Sequence, residues 1–351
     1  MLKLDSFTSS EQAMSIRAAI VGIAGPALTP EEAALFRRHP PAGAILFRRN
    51  IESPAQLGAL TAALREELGE EAPLLVDQEG GRVARLRPPH WPAHPPAAAF
   101  EGLPEAAAEA NAALLGLACA EAGFDVVCAP VLDLRLPGAH GVIGDRAFSA
   151  DPGEVARLGA AWVSGLRQAG CIPVIKHIPG HGRAAADSHE SLPRVACDRA
   201  TLAADIDAFR RLCAGGAGDG LWAMTAHILY DALDPRLPAT LSPRIIGAVI
   251  RDEIGFGGLL VSDDLAMGAM AGLSNDPAGD ALRAGCDLVL HCTGVLAETA
   301  ALLANCPPLD SAARLRLYVA REAARAGRRP LDPAALRVGC DALLASRIAG
   351  G

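Results

Sequence analysis

Two stretches of the chain gather the residue types that polar-bond chemistry needs. One is Lys176-His177-Ile178-Pro179-Gly180-His181-Gly182, running on to Asp187-Ser188-His189; the other is Val261-Ser262-Asp263-Asp264-Leu265. Each sets carboxylate and imidazole groups just after a short apolar run that reads as a buried strand. In parallel α/β proteins that end of the strand is where sites are built. A cation, several imidazoles and two carboxylates converging there point to hydrolysis of a polar bond. Phosphate or dinucleotide binding is not indicated, since no G-x-G-x-x-G follows a strand and no Walker sequence occurs.

Adjacent residues on a strand point to opposite faces, so Asp263 is predicted to face the site while Asp264 caps the next helix. The plainer alternative makes both of them helix-start charges. Asp187 lies two residues before His189, a spacing that can fix the ring's tautomer and raise its pKa. An exposed loop with incidental polar residues is the alternative there. His177, His181, His189 and His227 could join Asp263 as metal ligands on the same scaffold, although no H-x-H or H-E-x-x-H occurs and Lys176 would add an unhelpful charge. Arg82, Arg85 and Arg146 could bind an anion or sugar hydroxyls, or be solvated surface arginines. The Asp77-Gln78-Glu79-Gly80-Gly81-Arg82 run is denser in polar groups than a turn needs, and Asp133 either joins the site or buttresses a loop.

The elements that must position these residues are legible as short aliphatic runs at Ala19–Ala24, Gly43–Phe47, Pro73–Val76, Val126–Leu132, Ile172–Ile175, Leu221–Thr225, Gly258–Val261 and Asp287–Leu290. None alternates cleanly with polar residues, as expected of parallel strands covered on both faces. Alanine- and leucine-rich helical stretches separate them. Thr29-Pro30-Glu31-Glu32, Ser53-Pro54-Ala55-Gln56 and Asp151-Pro152-Gly153-Glu154 each combine an N-cap, a proline at the first helical position and an acid or amide that can satisfy orphan amides. Ser242-Pro243 and Asp276-Pro277 repeat the cap and proline. Asp77 to Phe100 reads as a long loop.

Such alternation predicts an α/β chain forming a single (β/α)₈ barrel with long βα loops, over residues 17–308. Residues 1–16 read as a flexible extension and 309–351 as helices packed on the barrel or a tail. A doubly wound open sheet is the alternative. In the barrel, Asp77 follows the third strand, Asp133 the fourth, Lys176 and His177 the fifth, His227 the sixth and Asp263 the seventh, so all should face one pocket.

Composition narrows the class further. The chain has 351 residues, 51% apolar and 21% charged, which allows a large core and argues against disorder. A net charge of −8 disfavours a nucleic-acid partner. Nine cysteines without a C-x-x-C read as reduced core thiols in a reducing compartment. With no signal-peptide core and no membrane-spanning run, a cytoplasmic protein without a membrane partner is expected.

With these residues in place, the chain resembles the single-domain β-N-acetylglucosaminidases of glycoside hydrolase family 3, the NagZ type. The likeness runs in order from about Ile20 to Cys292. It covers Gly43-Ala44-Ile45-Leu46-Phe47 with Arg49-Asn50, Asp77-Gln78-Glu79-Gly80-Gly81-Arg82-Val83, Ala129-Pro130-Val131-Leu132-Asp133, Ile143-Gly144-Asp145-Arg146, the Lys176-to-His189 run, Ala226-His227 and Ser262-Asp263-Asp264-Leu265-Ala266-Met267. The resemblance implies a barrel that removes terminal β-linked N-acetylglucosamine from cell-wall fragments. The usual substrate is an N-acetylglucosaminyl-1,6-anhydro-N-acetylmuramyl peptide, in peptidoglycan recycling. It further implies Asp263 as nucleophile and His189 as general acid/base assisted by Asp187. Asp77, Arg85, Arg146, Lys176 and His177 would bind the sugar, with His227 beside them. No metal or cofactor is implied, and a monomer acting on a small muropeptide is expected. A metal-dependent hydrolase on the same barrel and a non-catalytic muropeptide-binding protein are the competing readings.

Overall fold

Every expected aliphatic run forms a strand, and the strands close into one parallel barrel. In chain order they are β1 (Arg17–Gly22), β2 (Pro41–Leu46), β3 (Leu74–Val76), β4 (Val126–Val127), β5 (Ile172–Ile178), β6 (Trp222–Thr225), β7 (Leu259–Asp264) and β8 (Leu288–His291). This computed structural model describes residues 15–349. The extension expected over 1–16 therefore lies, through residue 14, outside the described residues. Each strand pairs with its sequence neighbours. β8 returns to β1 with Ala19 opposite Val289, Ile20 opposite Leu290 and Val21 opposite His291. Every residue of β2, β3, β5, β6 and β8 is buried, as an inner strand layer under helices requires.

Two strands run further than their apolar stretches, and that extension carries the chemistry. β5 continues through Lys176 and His177 to Ile178, and β7 through Ser262 to Asp264. β4 is shorter than expected because Pro130 has no amide to donate. The backbone still follows β5 beyond it, with Val174 N donating to Ala129 O at 3.1 Å and Leu132 N to Lys176 O at 2.7 Å.

The helix starts fall where the cap-and-proline signals place them. Thr29 accepts from Glu32 N in a full capping box at the head of α1 (Pro30–Arg38), and Ser53 accepts from Gln56 N at α2 (Pro54–Leu68). α3 (Glu105–Glu121) comes next, and Asp151 caps α4 (Pro152–Gln168) through Gly153 N and Glu154 N. α5 is Arg199–Cys213, and Asp276 caps α6 (Pro277–Ala284). Between them Ser242 receives Ile245 N, and Ile245–Glu253 is wound as a π-helix. After α7 (Leu296–Asn305), helix α8 (Ser311–Gly327) packs on α4, β5 and β7, and α9 (Pro333–Ala349) lies against α3. A two-stranded parallel sheet, Arg194–Val195 with Leu229–Tyr230, ties the loop after β5 to the loop after β6. Among the described residues no helix is long and apolar enough to cross a membrane.

Candidate active site

The long loops leaving the C-terminal ends of the strands enclose a cavity of about 540 Å³. Asp77, Arg85, Arg146, Lys176, His177, Asp187, His189 and Asp263 all line it, as do Asp264 and His181. The barrel thus brings together residues from loops that are far apart in the chain.

At the floor, Lys176 is 2% exposed. Its ammonium donates to Asp77 Oδ1 at 2.9 Å and to Glu79 Oε1 at 2.7 Å. Arg85 reaches the other Asp77 oxygen at 3.1 Å, and Arg146 makes a paired contact to Glu79 at 2.7 and 2.9 Å. Burial alone would favour neutral groups here. The mutual attraction prevails, holding Asp77 well below the usual carboxylate range, Glu79 at about 2, and Lys176 above its ordinary value. The result is a fixed lattice of alternating charge whose remaining oxygens and N–H groups suit a polyhydroxylated ligand.

Asp133 sits beneath this layer, fully buried, and its role is the buttress. It accepts His177 Nδ1 at 2.7 Å and the backbone amides of His177 and His181 at 3.2 and 2.6 Å. A carboxylate on Nδ1 means that ring nitrogen donates, leaving Nε2 of His177 for the cavity. His181 stays neutral because burial lowers its pKa to about 4.

Asp263 and Asp264 divide their duties as the strand geometry predicts. Asp264 is spent on backbone, accepting Ala266 N at 3.1 Å and Cys292 N at 3.0 Å, which ties the end of β7 to the segment after β8. It caps a turn rather than a helix. Among the described residues the Asp263 carboxylate accepts only the neighbouring Asp264 amide, at 2.8 Å. Burial opposes its ionisation, but the imidazoles of His227 and His177, that amide and the Lys176 ammonium together keep its pKa below the usual value. It is an anionic oxygen with no cation bound directly to it, a group chemically able to act as a nucleophile.

Asp187 and His189 form a hydrogen-bonded pair. Asp187 Oδ1 accepts His189 Nδ1 at 2.7 Å and the His189 amide at 2.9 Å. Burial raises the Asp187 carboxyl, yet these bonds carry it below its ordinary pKa. His189 remains two-thirds exposed at the cavity mouth, with Nε2 as the nitrogen left for proton exchange. Such an arrangement can deliver a proton and later accept one.

His227 departs from the sugar-binding place expected of it. It is fully buried behind the cavity wall, with Nδ1 on Thr240 Oγ1 at 2.7 Å and Nε2 donating to Asp264 O at 3.0 Å. A carbonyl can only accept, so Nε2 carries a proton, and burial lowers the pKa of the ring. Its place in a short strand-end run gave no sign of which way the ring turns. Arg82 lines the rim but mainly ties loops, donating to the carbonyls of Gly141, Val142 and Ile143. Glu79 and Arg49 are site residues that the spacing arguments did not single out. Their only signals were the polar density after Asp77 and the Arg49-Asn50 pair after Phe47. Arg49 stacks 4.8 Å from the Phe47 ring and donates to Ile23 O and Cys292 O. Among the described residues no three His, Cys, Asp or Glu side chains are placed to share a metal ion; His177 has spent one nitrogen on Asp133.

Residues 13–315 match the family described as "Glycosyl hydrolase family 3 N terminal domain". A β-hexosaminidase of Alkalilimnicola ehrlichii is 44% identical over 311 residues, 85% of this chain and 86% of that protein. A β-hexosaminidase of Pseudomonas aeruginosa is 39% identical over 291 residues, 81% and 85% of the two chains. Among solved structures, NagZ from Neisseria gonorrhoeae in complex with N-trifluoroacetyl-D-glucosamine has a TM-score of 0.81 at 32% identity, covering 94% of this chain and 99% of that one. An ionised, half-buried carboxylate, an imidazole with a free ring nitrogen and a charged cradle for hydroxyl groups are groups that cleavage of a glycosidic bond can use. By its sequence, its barrel and this site, the chain belongs to glycosyl hydrolase family 3 and is a glycoside hydrolase.

Proposed function

We propose that the protein is a retaining exo-β-N-acetylglucosaminidase. It releases terminal β-linked N-acetylglucosamine from peptidoglycan-derived N-acetylglucosaminyl-1,6-anhydro-N-acetylmuramyl peptides, in cytoplasmic cell-wall recycling. The observation that carries the reading is that the unpaired Asp263 carboxylate and the Asp187–His189 pair line one cavity. The β-hexosaminidase relatives support the choice of sugar.

In the first step an Asp263 oxygen attacks the anomeric carbon. The bond to the leaving oxygen breaks, and that oxygen takes the proton from His189 Nε2. The product is a glycosyl ester of Asp263 beside a neutral imidazole. In the second step His189 takes a proton from water, the water oxygen displaces Asp263 at the same carbon, and the imidazolium is restored. Asp187 stabilises that cation. An imidazole in this role leaves no second carboxylate next to the ester. Asp77, Arg85, Arg146, Lys176 and His177 hold the hydroxyls of the sugar, while Glu79 keeps Lys176 and Arg146 in place.

The test is the configuration of the sugar first released from an aryl β-N-acetylglucosaminide, followed by NMR, together with turnover of the anhydro-muramyl peptide. The β-anomer as first product, and cleavage of the muropeptide, are expected. The α-anomer would remove Asp263 as nucleophile, and tight binding of the muropeptide without turnover would favour a binding protein.

A further inference from the structure

The loop that carries His189 leaves β5 at Ile178 and must hold an exposed ring at a fixed place over the cavity. Its stem is anchored at three points. The Tyr230 hydroxyl donates to Gly180 O at 2.7 Å, the His181 amide donates to Asp133 at 2.6 Å, and Arg183 Nε donates to Asp205 Oδ2 at 2.5 Å. Its tip is held mainly by main chain, with Ala269 N donating to Ser188 O at 3.0 Å and Gly268 N to His189 O at 3.1 Å, beside a long 3.4 Å contact between the Ser188 hydroxyl and His181 Nε2. Between stem and tip the residues are Ala184, Ala185 and Ala186, whose side chains can make no polar contact. Among the described residues, that stretch is tied only at Ala184, whose amide donates to His181 O at 3.0 Å and whose carbonyl accepts His140 N at 3.2 Å. Arg183 is therefore the last side chain before Asp187 able to fix the loop.

Its partner is unusual in its own right. Asp205 belongs to α5, lines no part of the cavity, and is 1% exposed with Oδ1 unpartnered among the described residues. Gly180 packs directly on it: at φ +137° a Cβ there would come within 2.7 Å of Asp205 Cβ. Burying a carboxylate with one oxygen unsatisfied does not favour stability over an apolar residue of similar size. Among the described residues its one polar side-chain contact, to Arg183, leads to the loop that carries His189. Burial pushes its carboxyl up to about 6 while Arg183 pulls it down, so at neutral pH the pair is charged.

We propose that Arg183 and Asp205 form a latch between α5 and the catalytic loop that positions the Asp187–His189 pair over the bound sugar. The proposal rests on His189 being the acid/base. Both members are positioning residues; neither touches the substrate. Losing the latch withholds the proton donor while the sugar cradle and Asp263 stay in place.

Arg183→Met is compared with His189→Ala and with the paired variant Arg183→Met/Asp205→Leu, using an alkyl and a 2,4-dinitrophenyl β-N-acetylglucosaminide. Arg183→Met should lower kcat/KM for the alkyl glycoside by roughly ten- to a hundredfold, the cost of a small misplacement of a catalytic group. It should change kcat/KM for the dinitrophenyl glycoside, which needs no protonation, by no more than about twofold. Azide, a nucleophile needing no base, should restore kcat on the dinitrophenyl substrate. The paired variant should recover the Tm lost on unpairing Asp205 yet keep the leaving-group penalty, which separates positioning from stability. Equal losses on both substrates, or a penalty that vanishes with recovered Tm, would overturn the latch. If His189→Ala shows leaving-group dependence and Arg183→Met does not, the latch alone fails. If His189→Ala shows none, the acid/base assignment fails and the latch with it.

Discussion

The nucleophilic role proposed for Asp263 rests on what does not bind it. The cations of the cavity floor are already engaged by Asp77 and Glu79, so Lys176 stabilises the Asp263 charge from a distance without masking an oxygen. Asp263→Ala should cut kcat on an aryl N-acetylglucosaminide by roughly a thousandfold or more while leaving product binding within a few-fold, read by titration calorimetry. Glu79 has a different signature. Its folded pKa of about 2 lies below the ordinary value of 4.5, so the folded state favours the ionised form. The stability this contributes is complete above about pH 4.5 and is lost as pH falls toward 2. Glu79→Gln should therefore lower stability at pH 7 and flatten its decline between pH 4.5 and 2, followed by urea unfolding at each pH. An unchanged acid slope would show that the pair is not the acid-sensitive element.

At the scale of elements, the strand and helix boundaries were legible because they are set locally. Cap residues, prolines and β-branched runs act within a few positions, and the cap sites at Thr29, Ser53, Asp151 and Asp276 all hold helix amides. What the pattern missed was the polar continuation of β5 and β7, since Lys176, His177, Asp263 and Asp264 do not look like strand residues. Their pairing comes from neighbouring strands, such as Lys176 opposite Met224. The helix layer makes its own demand: α3 and α4 approach so closely that a Cβ on Gly165 would lie 2.2 Å from Glu109 O. Gly165→Ala should cost about 1–3 kcal/mol by overpacking. It should lower the urea midpoint and leave KM unchanged, because this contact is remote from the cavity.

For the whole molecule, closure of the barrel converts separate loops into one site and makes the covalent framework simple. All nine cysteines are free, and all but Cys197 are buried. Burial raises the thiols that line the core, Cys171 and Cys213 both to about 12, so they are poor nucleophiles at neutral pH. Thermal midpoints measured with and without a reductant should agree within about a degree, since no disulfide constrains the unfolded chain. Hydrolysis of an aryl glycoside should also persist in a strong chelator. Loss of activity there, restored by a divalent metal, would return His177, His181 and His227 to the role of ligands.

The sequence by itself determined the barrel, the strand ends that bear the site and the residue types gathered there, because hydrophobic period, caps and strand-end position are properties of short segments. It also placed Asp263, Asp187 and His189 in motifs specific enough to suggest their chemistry. Only the tertiary structure decided how neighbouring polar side chains share partners. Asp133 turned out to hold two histidine amides and one ring, His227 to face away behind Asp264, and Glu79 to complete the charge lattice with Lys176 and Arg146. Those outcomes depend on side-chain directions and on distances across the barrel mouth. Residues from different strands meet there only after closure fixes their register, and no local pattern encodes which of them will be close enough to bond.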